Sequence, residues 1–114
     1  MTADTEALAR RAVACKGWRW VPGMLGAGTG LRLDELTQHW EAEIPDLSDP
    51  CTLGGLTALL AEAYGVTLDD VHVVRTTGMV WSVWIFRADD SSYRVATHEP
   101  SRAEALVAAL EAAP

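Results

Sequence analysis

A chain of 114 residues, 49% of them hydrophobic, is long enough for one packed core and too apolar for a disordered tail. Its net charge of −7 sets it against nucleic-acid phosphates, and no run approaches the roughly 20 apolar residues of a membrane span. The expectation is one α+β domain over residues 1–114, with no membrane contact and no direct nucleic-acid binding.

Along the chain, Asp4 or Thr5 can cap a first helix that carries Leu8, Ala12 and Cys15 at helical spacing, with Gly17 as its stop. Alternation in Trp18-Arg19-Trp20-Val21 predicts a short strand with both indoles on one side, and Pro22-Gly23 a turn. Gly23 to Gly30 reads as a flexible loop or hairpin tip, and residues 31–36 as a strand. Ser48-Asp49-Pro50 announces a second helix, with proline at the first helical position, Leu53, Leu56, Leu60 and Ala63 on one face, and Gly65 at the end. Gly54 and Gly55 inside it imply close backbone contact with the sheet or an exposed glycine face for a partner.

Strand patterns follow over Val71–Thr76, Met79–Arg87 and Tyr93–Thr97, separated by turns at Thr77-Gly78 and at Asp89-Asp90-Ser91-Ser92. The middle strand is apolar on both faces apart from Ser82, so it is expected at the centre of the sheet, under helices on one side and under something else on the other. Trp81 and Trp84 fall on opposite faces of it. Ser101 and Glu104 form a capping-box pattern for a last helix docked by Leu106, Val107 and Leu110. The predicted architecture is three helices packed on a mostly antiparallel sheet of three to five strands.

Catalytic patterns fail on spacing. The glycines at 26, 28 and 30 lack the dinucleotide fingerprint and any following Lys-Ser or Lys-Thr, and read as a mobile loop. His39, His72 and His98 are far apart in sequence, so no metal-ligand pair is legible. Cys15 and Cys51 could pair, or could give a nucleophile with a histidine; without an export signal after MTADTEALARR the reading is two reduced, buried, apolar cysteines. Neighbouring acids such as Asp34-Glu35 and Asp69-Asp70 do not bracket a substrate. Neither an enzyme, a cofactor nor a metal is expected, and the default compartment is the cytoplasm.

What remains is surface. Residues 1–32 sum to +3, residues 33–70 to −9 and residues 71–114 to −1. The acidic middle third is either a solvated loop or a face for a partner with a basic surface. Within it Trp40 stands among Asp34, Glu35, Glu41 and Glu43, an aromatic among acids suited to a basic protein groove. Trp18 and Trp20, two of five tryptophans, read either as core or as partner contact. The candidate partner-binding set is therefore Asp34, Glu35, Trp40, Glu41, Glu43, Trp18 and Trp20, with homo-oligomerisation left open.

Three stretches taken together carry a resemblance: Arg10-Arg11-Ala12-Val13 through Gly17-Trp18-Arg19-Trp20-Val21-Pro22-Gly23-Met24; Pro45-Asp46-Leu47-Ser48-Asp49-Pro50 leading to Thr52-Leu53-Gly54; and Glu104-Ala105-Leu106-Val107-Ala108-Ala109-Leu110-Glu111. In this order they resemble small phage- and prophage-encoded proteins of high-GC bacteria, a family with no assigned activity. Eight arginines to one lysine fit such a genome. The resemblance implies an origin and no activity. A small acidic chain of that origin without a catalytic pattern is expected to be an accessory phage protein that binds a host or phage protein through the acidic segment around Trp40, for instance as an anti-CRISPR type inhibitor of a bacterial defence system. Alternatives are a virion or packaging component and an enzyme whose site is assembled only in the fold.

Overall fold

The computed structural model describes residues 3–33, 43–87 and 92–114, the side chains of Tyr93, Thr97 and His98 excepted. Three helices and a three-stranded antiparallel sheet make an α+β fold in the order α1 (Ala3–Val13), α2 (Pro50–Tyr64), a short 3-10 turn (Leu68–Asp70), β1 (Val71–Thr76), β2 (Val80–Phe86), β3 (Ser92–Glu99) and α3 (Arg102–Glu111). The strand order is β1-β2-β3, so the doubly apolar strand is central, as its composition implies.

The last helix organises the layers. Ala105, Leu106, Val107, Ala109 and Leu110 of α3 are all buried, because the helix lies on the sheet with one side and receives α1 and α2 on others. Ser101 caps it by accepting the Glu104 N–H at 3.1 Å, while the Glu104 carboxylate takes the Ser101 hydroxyl at 3.0 Å. Tyr64 at the end of α2 donates its hydroxyl to the Ala109 carbonyl at 2.9 Å, and Arg11 of α1 pairs with Glu111. From the sheet, Val71, Val83, Ile85 and Ala96 face this core.

The ends of α1 and α2 follow different physics. α1 stops at Val13, short of Cys15 and Gly17. Gly17 is not a left-handed cap: a Cβ there would meet Leu110 Cδ1 at 3.3 Å, so its role is close approach to α3. α2 is capped at both ends as its sequence implies. The Asp49 side chain accepts from the Thr52 N–H, proline occupies the first turn, and Gly65 closes the helix at φ 68°. Asp49 is also gripped by Arg32, whose guanidinium meets both carboxylate oxygens at 2.9 and 3.1 Å. The Thr52 hydroxyl gives its proton to Asp49 at 3.0 Å and accepts from Leu25 N–H at 2.9 Å, which ties the helix start to the preceding loop.

The two α2 glycines divide. Gly55 is buried, and a Cβ there would lie 2.8 Å from Met24 Cε and 3.1 Å from Met24 Cγ; Gly54 has nothing within 4 Å. Close packing is therefore the work of Gly55 alone, and it is made against the Val21–Met24 segment instead of the sheet.

Other expectations need correction. Trp18–Val21 forms no strand and pairs with none among the described residues. Residues 23–33 fold back as a hairpin tip held by Gly26 N–H to Leu31 O and Leu33 N–H to Met24 O, with single bridges at Leu25–Arg32 and Gly26–Pro45 in place of a strand. The rest of the expected 31–36 strand, residues 34–36, lies outside the described residues. β2 begins one residue late because Met79 sits in the left-handed region at φ 62°, following Gly78 at φ 92°. β3 starts at Ser92, which the sequence assigned to the turn, and runs on to Glu99; Asp89, Asp90 and Ser91 lie outside the described residues. The cysteines are free, but they are not buried: Cys15 is half-buried and Cys51 is exposed.

Two measurements probe this packing. Gly54→Ala should raise stability by about 0.5–1 kcal/mol through helix propensity, whereas Gly55→Ala should lower it by about 1–3 kcal/mol through overpacking against the fully buried Met24, read from urea midpoints. The Arg32 guanidinium, foremost, with the Thr52 hydrogen bonds, lowers the Asp49 carboxyl from 3.8 to about 2, so its contribution is complete above the ordinary value and is lost as pH falls toward about 2. The gap in urea midpoint between wild type and Asp49→Asn should therefore be open at pH 6 and narrow steadily from about pH 4 to about pH 2; a gap unchanged at pH 2 would contradict the assignment.

Candidate functional site

The two faces of the sheet are treated differently. Alternation sends Val71, Val73, Trp81, Val83, Ile85 and Ala96 toward the helices, where they are buried or packed against the core. It sends His72, Val74, Ser82, Trp84, Phe86, Ser92 and Arg94 the other way, and of these Ser82 is buried. Among the described residues no helix or strand lies over that second face. Val74 and Phe86 are 38% and 37% exposed, and Trp84 is half-buried.

Register makes this face an ordered surface. His72 stands directly opposite Trp84, and Trp84 directly opposite Arg94, giving one row across all three strands. The Arg94 guanidinium carbon lies over the Trp84 ring at 5.4 Å from its centroid. His72 and Phe86, diagonal neighbours, bring their rings to 4.5 Å at 56°. Between them His72, Val74, Trp84, Phe86 and Ser92 border a shallow hollow of about 280 Å³. Register shifts between β2 and β3 at Trp81–Val83 and Val83–Trp84 leave Val95 as an extra residue before Arg94 meets Trp84. Aromatic area with a cation stacked on it is the composition of a binding surface.

The sequence-derived candidates are placed as follows. Trp18 and Trp20 are half-buried in the connection after α1, edge-to-face with each other at 5.5 Å and 76°, and both pack against the core. Glu43 is drawn inward. It accepts the backbone N–H groups of Gly28 and Thr29, each at 2.8 Å, and of Ile44 at 2.9 Å. Partial burial works to raise its pKa, and these backbone donors overcome it and hold the carboxyl below the usual range. Glu43 thus clamps the glycine loop. Asp34, Glu35, Trp40 and Glu41 lie outside the described residues, so only three members of the candidate set have a described position.

A second hollow, of about 540 Å³, lies between the ends of α1 and α3 beside Cys15. The thiol donates to the Arg11 carbonyl at 3.3 Å, and burial, followed by the Glu111 charge, raises its pKa. A thiol so held keeps its proton and is a poor nucleophile. Among the described residues no group of three or more His, Cys, Asp or Glu could hold a metal ion, and no helix is long and apolar enough to cross a membrane.

The signal for the open face was in the sequence: His72-x-Val74, Trp84-x-Phe86 and Arg94 alternate in three successive strands. Each pattern alone also fits a strand covered on both sides. No protein-family model matches the chain, and neither a curated protein nor a solved structure does.

Replacing Glu43 by Gln should leave the three-stranded sheet intact and free the glycine loop, since an amide offers one acceptor oxygen where the carboxylate uses two. Hydrogen exchange at Gly28 and Thr29 should quicken by at least about tenfold, consistent with loss of charge-assisted bonds worth about 1.5–3 kcal/mol. Unchanged protection at both amides would remove the clamp from Glu43.

Proposed function

We propose that the chain is a binding module for another protein and that the open face of its sheet is the contact surface. The observation that carries this reading is the His72–Trp84–Arg94 row, with Phe86 and Val74 beside it, left uncovered among the described residues while the opposite face is packed under α3. Tryptophan and arginine are the residues most enriched at interface hot spots, and a rigid sheet presents them without an ordering cost.

The acidic stretch around Trp40, which lies outside the described residues, is the other candidate contact and calls for a basic partner. Its described flanks support it less than their sequence does, because Glu43 clamps the glycine loop, Asp46 holds the Ser48 N–H and hydroxyl, and Asp49 caps α2. That reading rests on Asp34, Glu35, Trp40 and Glu41. The resemblance to phage-encoded proteins suggests an infected bacterium as the setting, with inhibition of a defence system or a place in the virion as the two forms such binding would take. Recovery of the chain in purified particles supports the second.

The test is affinity capture from a lysate of the bacterium that carries the gene, comparing the wild type with the Trp84→Ser/Phe86→Ser double variant and with Leu68→Ser, a change at an exposed leucine elsewhere. Captured partners should be lost from the double variant and kept by Leu68→Ser, with circular dichroism unchanged in both. Identical capture by all three chains would move the contact surface away from the sheet.

A further inference from the structure

We infer that the open face accepts an acidic segment of its partner, an apolar anchor side chain resting between Val74, Trp84 and Phe86 and a carboxylate beside it meeting Arg94. This rests on the reading of that face as a protein-contact surface and specifies its chemistry.

Three observations carry it. First, the positions His72, Val74, Ser82, Trp84, Phe86, Ser92 and Arg94 hold one guanidinium, one imidazole and no acid, in a chain whose net charge is −7. Second, Arg10, Arg11, Arg19 and Arg32 are each paired with a carboxylate of the chain, whereas Arg94, like Arg75 and Arg102, has no carboxylate partner among the described residues, and Arg94 lies over an indole. Stacking uses the face of a guanidinium and leaves its N–H edge free, the geometry in which arginine grips a carboxylate with two parallel bonds. Third, the hollow adjoining Trp84 is shallow, about 280 Å³, and suits one side chain laid on an aromatic shelf instead of an engulfed small molecule.

The chain's overall negative charge does not forbid such a partner. At physiological salt the Debye length is about 8 Å, so the charges nearest the contact dominate. Glu6, Glu43, Asp49, Glu62 and Glu111 are engaged in ion pairs or hydrogen bonds with helices and loops. Nucleic acid is the weaker fit. A phosphate backbone is held by several cations at once, and this face offers one arginine against a net −7.

The experiment pans a displayed library of random peptides, each about a dozen residues long, on the full-length chain, with Trp84→Ala, Phe86→Ser and Arg94→Glu chains in parallel. Enriched peptides are expected to place Asp or Glu next to a leucine or an aromatic residue. They should lose about tenfold or more in affinity for Arg94→Glu, and their lysine-substituted versions should prefer that variant over the wild type. Peptides that need Trp84 and Phe86 but carry no acid, or that ignore Arg94→Glu, would overturn the acidic partner while leaving the contact surface standing. Peptides indifferent to all three variants, or no enrichment at all, would also overturn it, and lysate capture would then decide the fate of the surface. A labelled 20-mer of thymidylate bound by the wild type and lost from Trp84→Ala would replace the acidic segment with single-stranded nucleic acid. Concentration-dependent dimerisation abolished by Phe86→Ser would replace it with a second copy of the chain.

Discussion

The burial of α3 is the constraint on which the rest of the molecule depends. Ten residues rich in alanine, leucine and valine cannot be stable as an isolated helix, and this one gains its order from contacts on several sides. Its small residues, Ala105 and Ala109, let neighbours come close, and Leu106, Val107 and Leu110 fill the space between the sheet and the other two helices. The approach is near enough that Gly17 lies against Leu110 and the Tyr64 hydroxyl reaches a backbone carbonyl of α3. Removing volume from this helix would loosen every layer, because interiors packed to crystal-like density relax only in part.

Placing the helices on one side has a consequence for the sheet. A three-stranded sheet has two faces, and here α3 takes one of them. Along β2 the residues under α3 are Val83 and Ile85, fully buried, and the neighbours that point away are Trp84 and Phe86, which have kept large aromatic side chains without a covering layer among the described residues. Exposed apolar surface of this kind is tolerated where it has a use. The surrounding polar chemistry suits such a use: Arg94 is stacked on Trp84, while the arginines at positions 10, 11, 19 and 32 are neutralised by carboxylates.

Acids, in contrast, are put to structural work wherever they are described near the glycine-rich loop. Glu43 and Asp49 come from opposite ends of one short segment and fasten that loop and the start of α2, the first through backbone donors and the second through Arg32 and Thr52. Composition presents them as part of a uniform acidic patch. Position gives them local partners and depressed pKa values, which makes them elements of fold stability at neutral pH.

How much was legible in the sequence follows from the range of the forces involved. Local chemistry determined α2, whose Asp49-Pro50 start and Gly65 end act within one helical turn, and it determined β1 and β2 from runs of strand-forming residues between turns and the centrality of β2 from its apolar residues on both faces. It failed at Trp18–Val21, where the alternating pattern is real but no strand forms and none pairs with it among the described residues. It could assign Trp81 and Trp84 to opposite faces but not say which face the helices would take, or that the other would have no helix or strand over it among the described residues. That choice belongs to the tertiary structure, because it depends on where α3 docks, and docking is a sum of contacts between residues far apart in the chain. The same holds for Glu43: its charge was evident from the sequence, but its engagement with Gly28 and Thr29 exists only once the loop folds back upon it.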